Sequence, residues 1–290
     1  MVKTALSPII AGTMNWGVWD KNLNTSEMAN LINVCFENKI TTFDHADIYG
    51  GYTTEASFGK ALTESKINRE KIQLISKCGI LQNSENRPYK VKNYDYSKEY
   101  IIWSVENSLK NLHSDYLDVL LLHRPSPLMN SEEIAEAVEK LKSDGKILDF
   151  GLSNFTPSQT DLIRSKTEVS YNQIQFSATD FEAMLNGSLD HMQVNNIRPM
   201  AWNPLGTVFR ENTDQTKRLK TLLADLVSKY HVGSDTILLS WVLQHPAKII
   251  PIAGTVNVAR LQQLFKATEF KLEREEWFSI WTESMGNQVP

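Results

Sequence analysis

The stretch TTFDHADIYGGYTTE, residues 41–55, sets Asp44, His45, Asp47 and Tyr49 within six residues and follows them with Gly50 and Gly51. Three chemistries are open to such a set. Carboxylates and imidazoles ligate metals, paired carboxyls exchange protons, and a tyrosine can serve as an acid where its surroundings tune it. Adjacent residues of a strand point to opposite faces, so Asp44 and His45 are poorly placed to share an ion, and no metal site is expected. The glycines let the chain turn beside Tyr49.

Further polar residues stand at the ends of apolar runs. Lys77 ends LISK, His123 ends LLLH, and Ser153 and Asn154 end GLSN. Asn172 and Gln173 lie in NQIQ, and Trp202 and Asn203 close MAWN. Each has an ordinary explanation alone. A lysine after a strand reaches solvent, a lone histidine is commonly hydrogen-bonded scaffold, and Thr156 with Pro157 reads as a helix start. Polar groups ending four successive apolar runs are harder to dismiss, because strand ends are where a parallel barrel does its chemistry.

The elements that must position these residues alternate along the chain. Eight strands are expected at 9–14, 40–44, 71–77, 116–123, 147–153, 169–175, 197–203 and 248–253. Most are continuous apolar runs, the pattern of parallel strands covered on both faces. Amphipathic helices lie between them. TSEMANLINVCFENK carries Met28, Leu31, Ile32, Cys35 and Phe36 on one stripe behind an Asn24 cap. SEEIAEAVEKLKSDG is expected to start on Ser131 as cap, bury Ile134, Ala137, Val138 and Leu141, and stop at Gly145. A third helix carries Leu219, Leu222, Leu223, Leu226 and Tyr230. Eight such units in 290 residues predict an α/β fold of the (β/α)8 TIM-barrel type, one domain over 1–290. The alternative, a doubly wound sheet, prefers a Gly-rich turn after the first strand, and none is present. The longest irregular stretch, 79–97, leaves the third strand on the functional side and reads as a lid or substrate wall.

Composition narrows the partners. A formal charge of −4 and pI near 5.9 give no basic footprint for nucleic acid, and no run reaches the ~18 apolar residues of a membrane helix. Cys35 and Cys78 do not form a disulfide framework. Ser7 and Pro8 interrupt the apolar N-terminal stretch before a signal sequence forms. The expected location is the cytoplasm.

FDHADIYGGYTTEASFG, LISKCG, YLDVLLLHRP, GLSNF, YNQIQFS, AWNPLG and IIPIAGTVNVARL resemble, in order and over nearly the whole chain, the segments of the aldo-keto reductase family, most closely its bacterial single-domain members. The resemblance implies a catalytic tetrad of Asp44, Tyr49, Lys77 and His123. Tyr49 would protonate the oxygen of a carbonyl under reduction. Lys77 would lower its pKa, Asp44 would hold Lys77, and His123 would position the carbonyl oxygen. Asp47 is read as loop scaffolding.

The resemblance also implies a nicotinamide dinucleotide, NADPH in preference to NADH. It assigns Ser153, Asn154 and Gln173 to the carboxamide, Trp202 to the nicotinamide ring, Asn203, Leu205, Gly206 and Thr207 to the pyrophosphate path, and Thr255, Arg260 and Gln263 to the far end. A helix opening at Thr255 offers an anion site, and Arg260 suits a 2'-phosphate. The chain departs from many relatives at Gly254, where they carry a lysine. Trp16, Trp19 and Tyr52 are expected to line the substrate pocket, with Tyr89, Tyr94, Tyr96, Trp277 and Trp281 adding to an aromatic rim for a small carbonyl compound. Two rival classes remain in view: a non-turnover dinucleotide-binding sensor or regulatory subunit, and a lyase or isomerase using Lys77 as a Schiff base.

Overall fold

The computed structural model describes residues 5–290. Eight parallel strands carry the apolar runs: β1 (Ile10–Gly12), β2 (Thr42–Asp44), β3 (Gln73–Cys78), β4 (Leu117–Leu122), β5 (Ile147–Ser153), β6 (Tyr171–Gln175), β7 (Arg198–Trp202) and β8 (Ile250–Ala253). Consecutive strands pair, and β1 pairs with both β2 and β8, closing the ring without an edge. The fold is the expected (β/α)8 barrel. β3 runs one residue beyond its expected end, so that Lys77 lies inside the ladder, paired with Leu121.

Side-chain parity divides the apolar residues into two layers. Ile10, Ile75, Val119, Leu121, Tyr171, Met200, Ile250 and Ile252 fill the barrel interior. Alternate residues such as Phe43, Leu74, Leu120 and Phe150 face the helices in the larger core. The interior is packed solid: a Cβ on Gly151 would stand 2.7 Å from both Leu121 Cδ2 and Tyr171 O.

The helices start much as the sequence indicates. Asn24 caps Thr25–Glu37 in a reciprocal box with Glu27, and Thr156 caps Pro157–Arg164 in the same way with Gln159. One start differs: Asn130, not Ser131, caps Ser131–Ser143, by accepting from the Glu132 N–H. Both types cap well, and the extended backbone at Asn130 puts its side chain in position. Among the described residues no helix is long and apolar enough to cross a membrane.

The 79–97 segment is folded rather than loose. Ile80–Leu81 pairs antiparallel with Asn93–Tyr94. The Tyr52 hydroxyl accepts from Gln82 N at 2.9 Å and donates to Gln82 O at 3.2 Å. The Arg87 guanidinium lies over the rings of Tyr52 and Trp103, at 4.1 and 4.6 Å. The segment thus sits on the turn that follows Tyr49.

Candidate active site

The parity that fills the interior with Ile75 and Leu121 continues one step toward the strand ends. There the inward residue is Asp44 on β2, Lys77 on β3 and Gln173 on β6, all buried. The His123 N–H bonds Cys78 O and extends the ladder to the histidine. Tyr49 reaches these side chains through its bond to Lys77, and the chain then turns through three consecutive left-handed residues, Gly50 (φ 61), Gly51 (φ 63) and Tyr52 (φ 71). The glycines adopt this conformation freely. Tyr52 does not, and its hydroxyl bonds to the 79–97 segment offset the strain.

The centre of the site is the Lys77 ammonium. Its three donors meet three acceptors: Asp44 Oδ2 at 2.8 Å, the His45 carbonyl at 2.7 Å and the Tyr49 hydroxyl oxygen at 3.0 Å. The other Asp44 oxygen, Oδ1, accepts from Gln173 Nε2 at 2.8 Å. Thr13 holds the 44–45 segment from outside: its hydroxyl donates to Asp44 O and accepts from His45 Nδ1. His45 is therefore turned away from Asp44, and the two share no common ligand position.

Burial pulls the Lys77 pKa down, but Asp44 and then Tyr49 pull it further up, so the ammonium stays charged. A lysine so held is a poor nucleophile, which removes the basis for a Schiff-base role. The Tyr49 phenol is pushed up from its ordinary value of 10.0. Burial is the largest cause and exceeds the opposing pull of Lys77, so the expected lowering by the lysine does not win. His123 is pushed well below the ordinary imidazole range, first by burial and then by Lys77, and is neutral. Its ring stands edge-on to Tyr49, centroids 6.0 Å apart. Burial and Lys77 bring His45 down to about 3. Asp47 is raised to about 8 by burial and then by Glu55; its Oδ2 accepts from Ser104, as scaffolding between β2 and the helix Lys98–Leu112. Since Lys77 donates to the Tyr49 oxygen, the phenolic proton points away from the lysine. The set can give up that proton to an acceptor oxygen, leaving a phenolate that the Lys77 ammonium holds at hydrogen-bond distance.

The remaining expected residues form two groups. At the strand ends the Asn154 amide donates to Ser153 Oγ at 2.8 Å, and its oxygen accepts from Trp202 Nε1 at 2.9 Å. Asn154 (φ 61) and Asn203 (φ 54) both take left-handed backbone. Arg210 donates to Asn203 Oδ1 and Gly206 O, and Thr207 N donates to Thr179 Oγ1; Leu205 packs against the core. In the second group, Arg260 and Gln263 line a cavity of about 460 Å³ with Phe209, Asp235 and Asn257, and Thr255 stands outside that lining. Among the described residues Arg260 makes no ion pair. The helix over it is short, Val258–Leu264, and its first turn is already served: Asn257 accepts from Arg260 N, and Thr255 Oγ1 accepts from Asn257 N. Gly254 is exposed, and a Cβ there meets nothing nearer than Asn15 Nδ2 at 3.9 Å.

The expected pocket residues divide. Trp19, 43% exposed, lies 6.1 Å from the Tyr49 ring and flanks the mouth. Trp16 does not: it is fully buried against Phe43 and Phe58, and the expectation that it touches substrate is corrected. Tyr52 is buried with its hydroxyl spent on the 79–97 segment, which makes it the strut of that wall. Tyr96 is buried too, its hydroxyl bonded to the Arg124 backbone. Trp277 and Trp281 pack against Trp241 and Phe181. Sequence reasoning passed over Arg124, whose guanidinium lies 5.9 Å from the Trp202 ring; its place directly after His123 was the available signal.

The comparisons with known proteins place the chain in a family. Residues 8–282 match the family model described as the aldo/keto reductase family. The chain is 43% identical to the oxidoreductase YcsN of Bacillus subtilis, over 98% of this chain and 96% of the relative. It is 35% identical to a 6-dehydroglucose reductase of Agrobacterium fabrum, over 99% and 97%. A crystal structure of the thermostable aldo-keto reductase Tm1743 with the inhibitor epalrestat superposes with a TM-score of 0.82 at 25% identity, covering 98% of this chain and all of that one. An aldo/keto reductase of Klebsiella pneumoniae, solved with NADP and acetate, shares the fold at TM-score 0.79. The chain belongs to the aldo/keto reductase family. It is an NAD(P)H-dependent oxidoreductase.

Proposed function

We propose that the protein, acting as one barrel domain over residues 1–290, reduces aldehydes or ketones to alcohols with NADPH, and that Tyr49 is the proton donor. The bound nicotinamide supplies the hydride. The observation that carries the reading is the Lys77 ammonium, saturated by Asp44, His45 O and Tyr49. It holds the phenol oxygen in a field that stabilises negative charge as the proton leaves, while burial keeps the phenol protonated near neutral pH. His123, neutral, can hydrogen-bond the carbonyl oxygen without competing as an acid.

The residues present suit a dinucleotide. Ser153, Asn154, Gln173 and Trp202 offer polar groups and an indole at the strand ends, and Asn203, Leu205, Gly206 and Thr207 continue from them. Arg260, which makes no ion pair among the described residues and lines the cavity of about 460 Å³ with Gln263, favours, together with Thr255, the 2'-phosphate of NADPH. Gly254 withholds one cation, so NADH remains an acceptable second cofactor. The name of the Agrobacterium relative puts a dehydro-sugar carbonyl on the substrate panel, beside simple aldehydes, ketones and quinones. The partners are small molecules alone. A cytoplasmic location belongs to the same reading, both cysteines being buried free thiols.

Steady-state assays of NADPH oxidation across that panel test the proposal. Tyr49→Phe keeps cofactor binding and loses about 10²–10⁴-fold in kcat. A Tyr49→Phe protein with wild-type turnover overturns the assignment of the acid.

A further inference from the structure

Gln173 and Asp44 are 129 positions apart in sequence, yet Gln173 Nε2 lies 2.8 Å from Asp44 Oδ1 and both side chains are buried. The two strands that carry them, β6 and β2, stand four places apart in the closed ring of eight, and three strands separate them by either route. The bond therefore crosses the barrel from wall to wall. The identity of the donor is fixed by chemistry: a carboxylate oxygen facing an amide can only accept, so the nitrogen must face it. Asp44 has its other oxygen on Lys77, and Lys77 has one of its three donors on Tyr49. The carboxylate has one rotatable bond beyond Cβ, and two opposed donors fix its plane.

We propose that Gln173 is a positioning residue for the proton donor: the cross-barrel amide fixes the Asp44 carboxylate, and through it the Lys77 ammonium and the Tyr49 oxygen. This goes beyond a contact to the cofactor and rests on Tyr49 being the acid. Without the amide, Asp44 keeps Lys77 but loses a charge-assisted hydrogen bond in a buried site, and the Lys77–Tyr49 distance becomes free to vary. The role is separable from cofactor binding because it acts on the apoprotein and on kcat at saturating cofactor.

Two variants test it. Gln173→Met keeps the length of the side chain and removes the donor; kcat at saturating NADPH falls about 10–100-fold, the span of a lost hydrogen bond to a charged group. Gln173→Glu offers a donor to Asp44 only while its new carboxyl is protonated. Its kcat, relative to wild type, is retained at acid pH and falls as pH rises and that carboxyl ionises beside Asp44. The melting temperature of its apoprotein, relative to wild type, falls over the same interval. NADPH affinity is measured separately by quenching of tryptophan fluorescence. Both variants keeping wild-type kcat at saturation, with only KM raised, would reduce Gln173 to a cofactor contact and overturn the proposal. A Gln173→Glu melting difference that does not change with pH overturns it as well, and this readout needs no turnover. A wild-type protein that reduces no carbonyl refutes the proposed function instead, and leaves the apoprotein melts to decide the strut.

Discussion

Removing the Lys77 ammonium should cost the protein its stability and its activity together, for reasons that can be separated. Lys77→Met leaves a chain of similar length and volume in a fully buried place. It strips a donor from each of Asp44 Oδ2, His45 O and Tyr49, and strands the Asp44 carboxylate with only Gln173. Breaking one partner out of a buried pair costs about 3–5 kcal/mol, because the remaining charge is neither solvated nor matched. In turnover, the field that stabilises negative charge on the phenol oxygen is lost, worth about 10²–10⁴ in kcat. Urea unfolding measures the first, and steady-state assay at saturating cofactor the second. The double variant Asp44→Asn/Lys77→Met removes the unmatched charge, so most of the stability returns while kcat stays low. A Lys77→Met protein within about 1 kcal/mol of wild-type stability would refute the view that these groups form one buried electrostatic unit. Recovery of kcat in the double variant would refute the assignment of the ammonium to catalysis.

Gly254→Lys places a cation on an exposed site with open space around Cβ; it should lower Kd for NADPH about two- to tenfold and leave that for NADH unchanged, as fluorescence titration of both cofactors will show. The pH profile of carbonyl reduction should be flat from about pH 6 to about pH 10 and fall only above it, because Tyr49 is pushed above 10.0 and His123 stays neutral throughout; an inflection between about pH 6 and 7 that disappears in His123→Gln would contradict this. Asp47 is raised to about 8 in the fold from an ordinary 3.8, so the native state binds the extra proton and stability falls as pH rises from about 4 through about 8. Asp47→Asn should therefore melt above wild type at pH 8.5 by a margin larger than at pH 5, each 1 kcal/mol appearing as about 2–4 °C; an equal margin at both would place no proton on Asp47.

The barrel was legible because its strands are continuous apolar runs, and a two-sided burial demand leaves few other readings. The site was legible as a set of strand ends, since period-two alternation aims Asp44, Lys77, His123 and Gln173 at one mouth once the strands are known. Other features depended on distances the sequence does not contain. An indole at position 16 and one at position 19 look alike as residue types, but the first turns inward against Phe43 and Phe58 and the second outward beside Tyr49. Tyr52 stands in a left-handed turn that sends its hydroxyl to Gln82, and the contact of Gln173 with Asp44 joins strands on opposite walls. The Tyr49 pKa shows a different gap: the nearby lysine fixes the sign of one contribution, but burial, a property of the whole fold, fixes the net direction.

That direction also bears on the proposed role of Tyr49 as proton donor. A lysine that lowered the phenol far enough would give a tyrosinate near neutral pH, able to take a proton but with none to give. Here Lys77 is saturated and Tyr49 remains protonated. Because the phenol oxygen accepts from the ammonium, the hydroxyl hydrogen is directed away from it. With Tyr49 as the proposed proton donor, the lysine would exert its effect later, when the proton leaves and the phenolate that forms stands 3.0 Å from a fixed positive charge. An interaction that strengthens as charge develops lowers the barrier more than it stabilises the resting state. Reduction, in which the proton travels toward substrate, is accordingly the direction that a charged Lys77, a protonated Tyr49 and a neutral His123 would prepare in the proposed function.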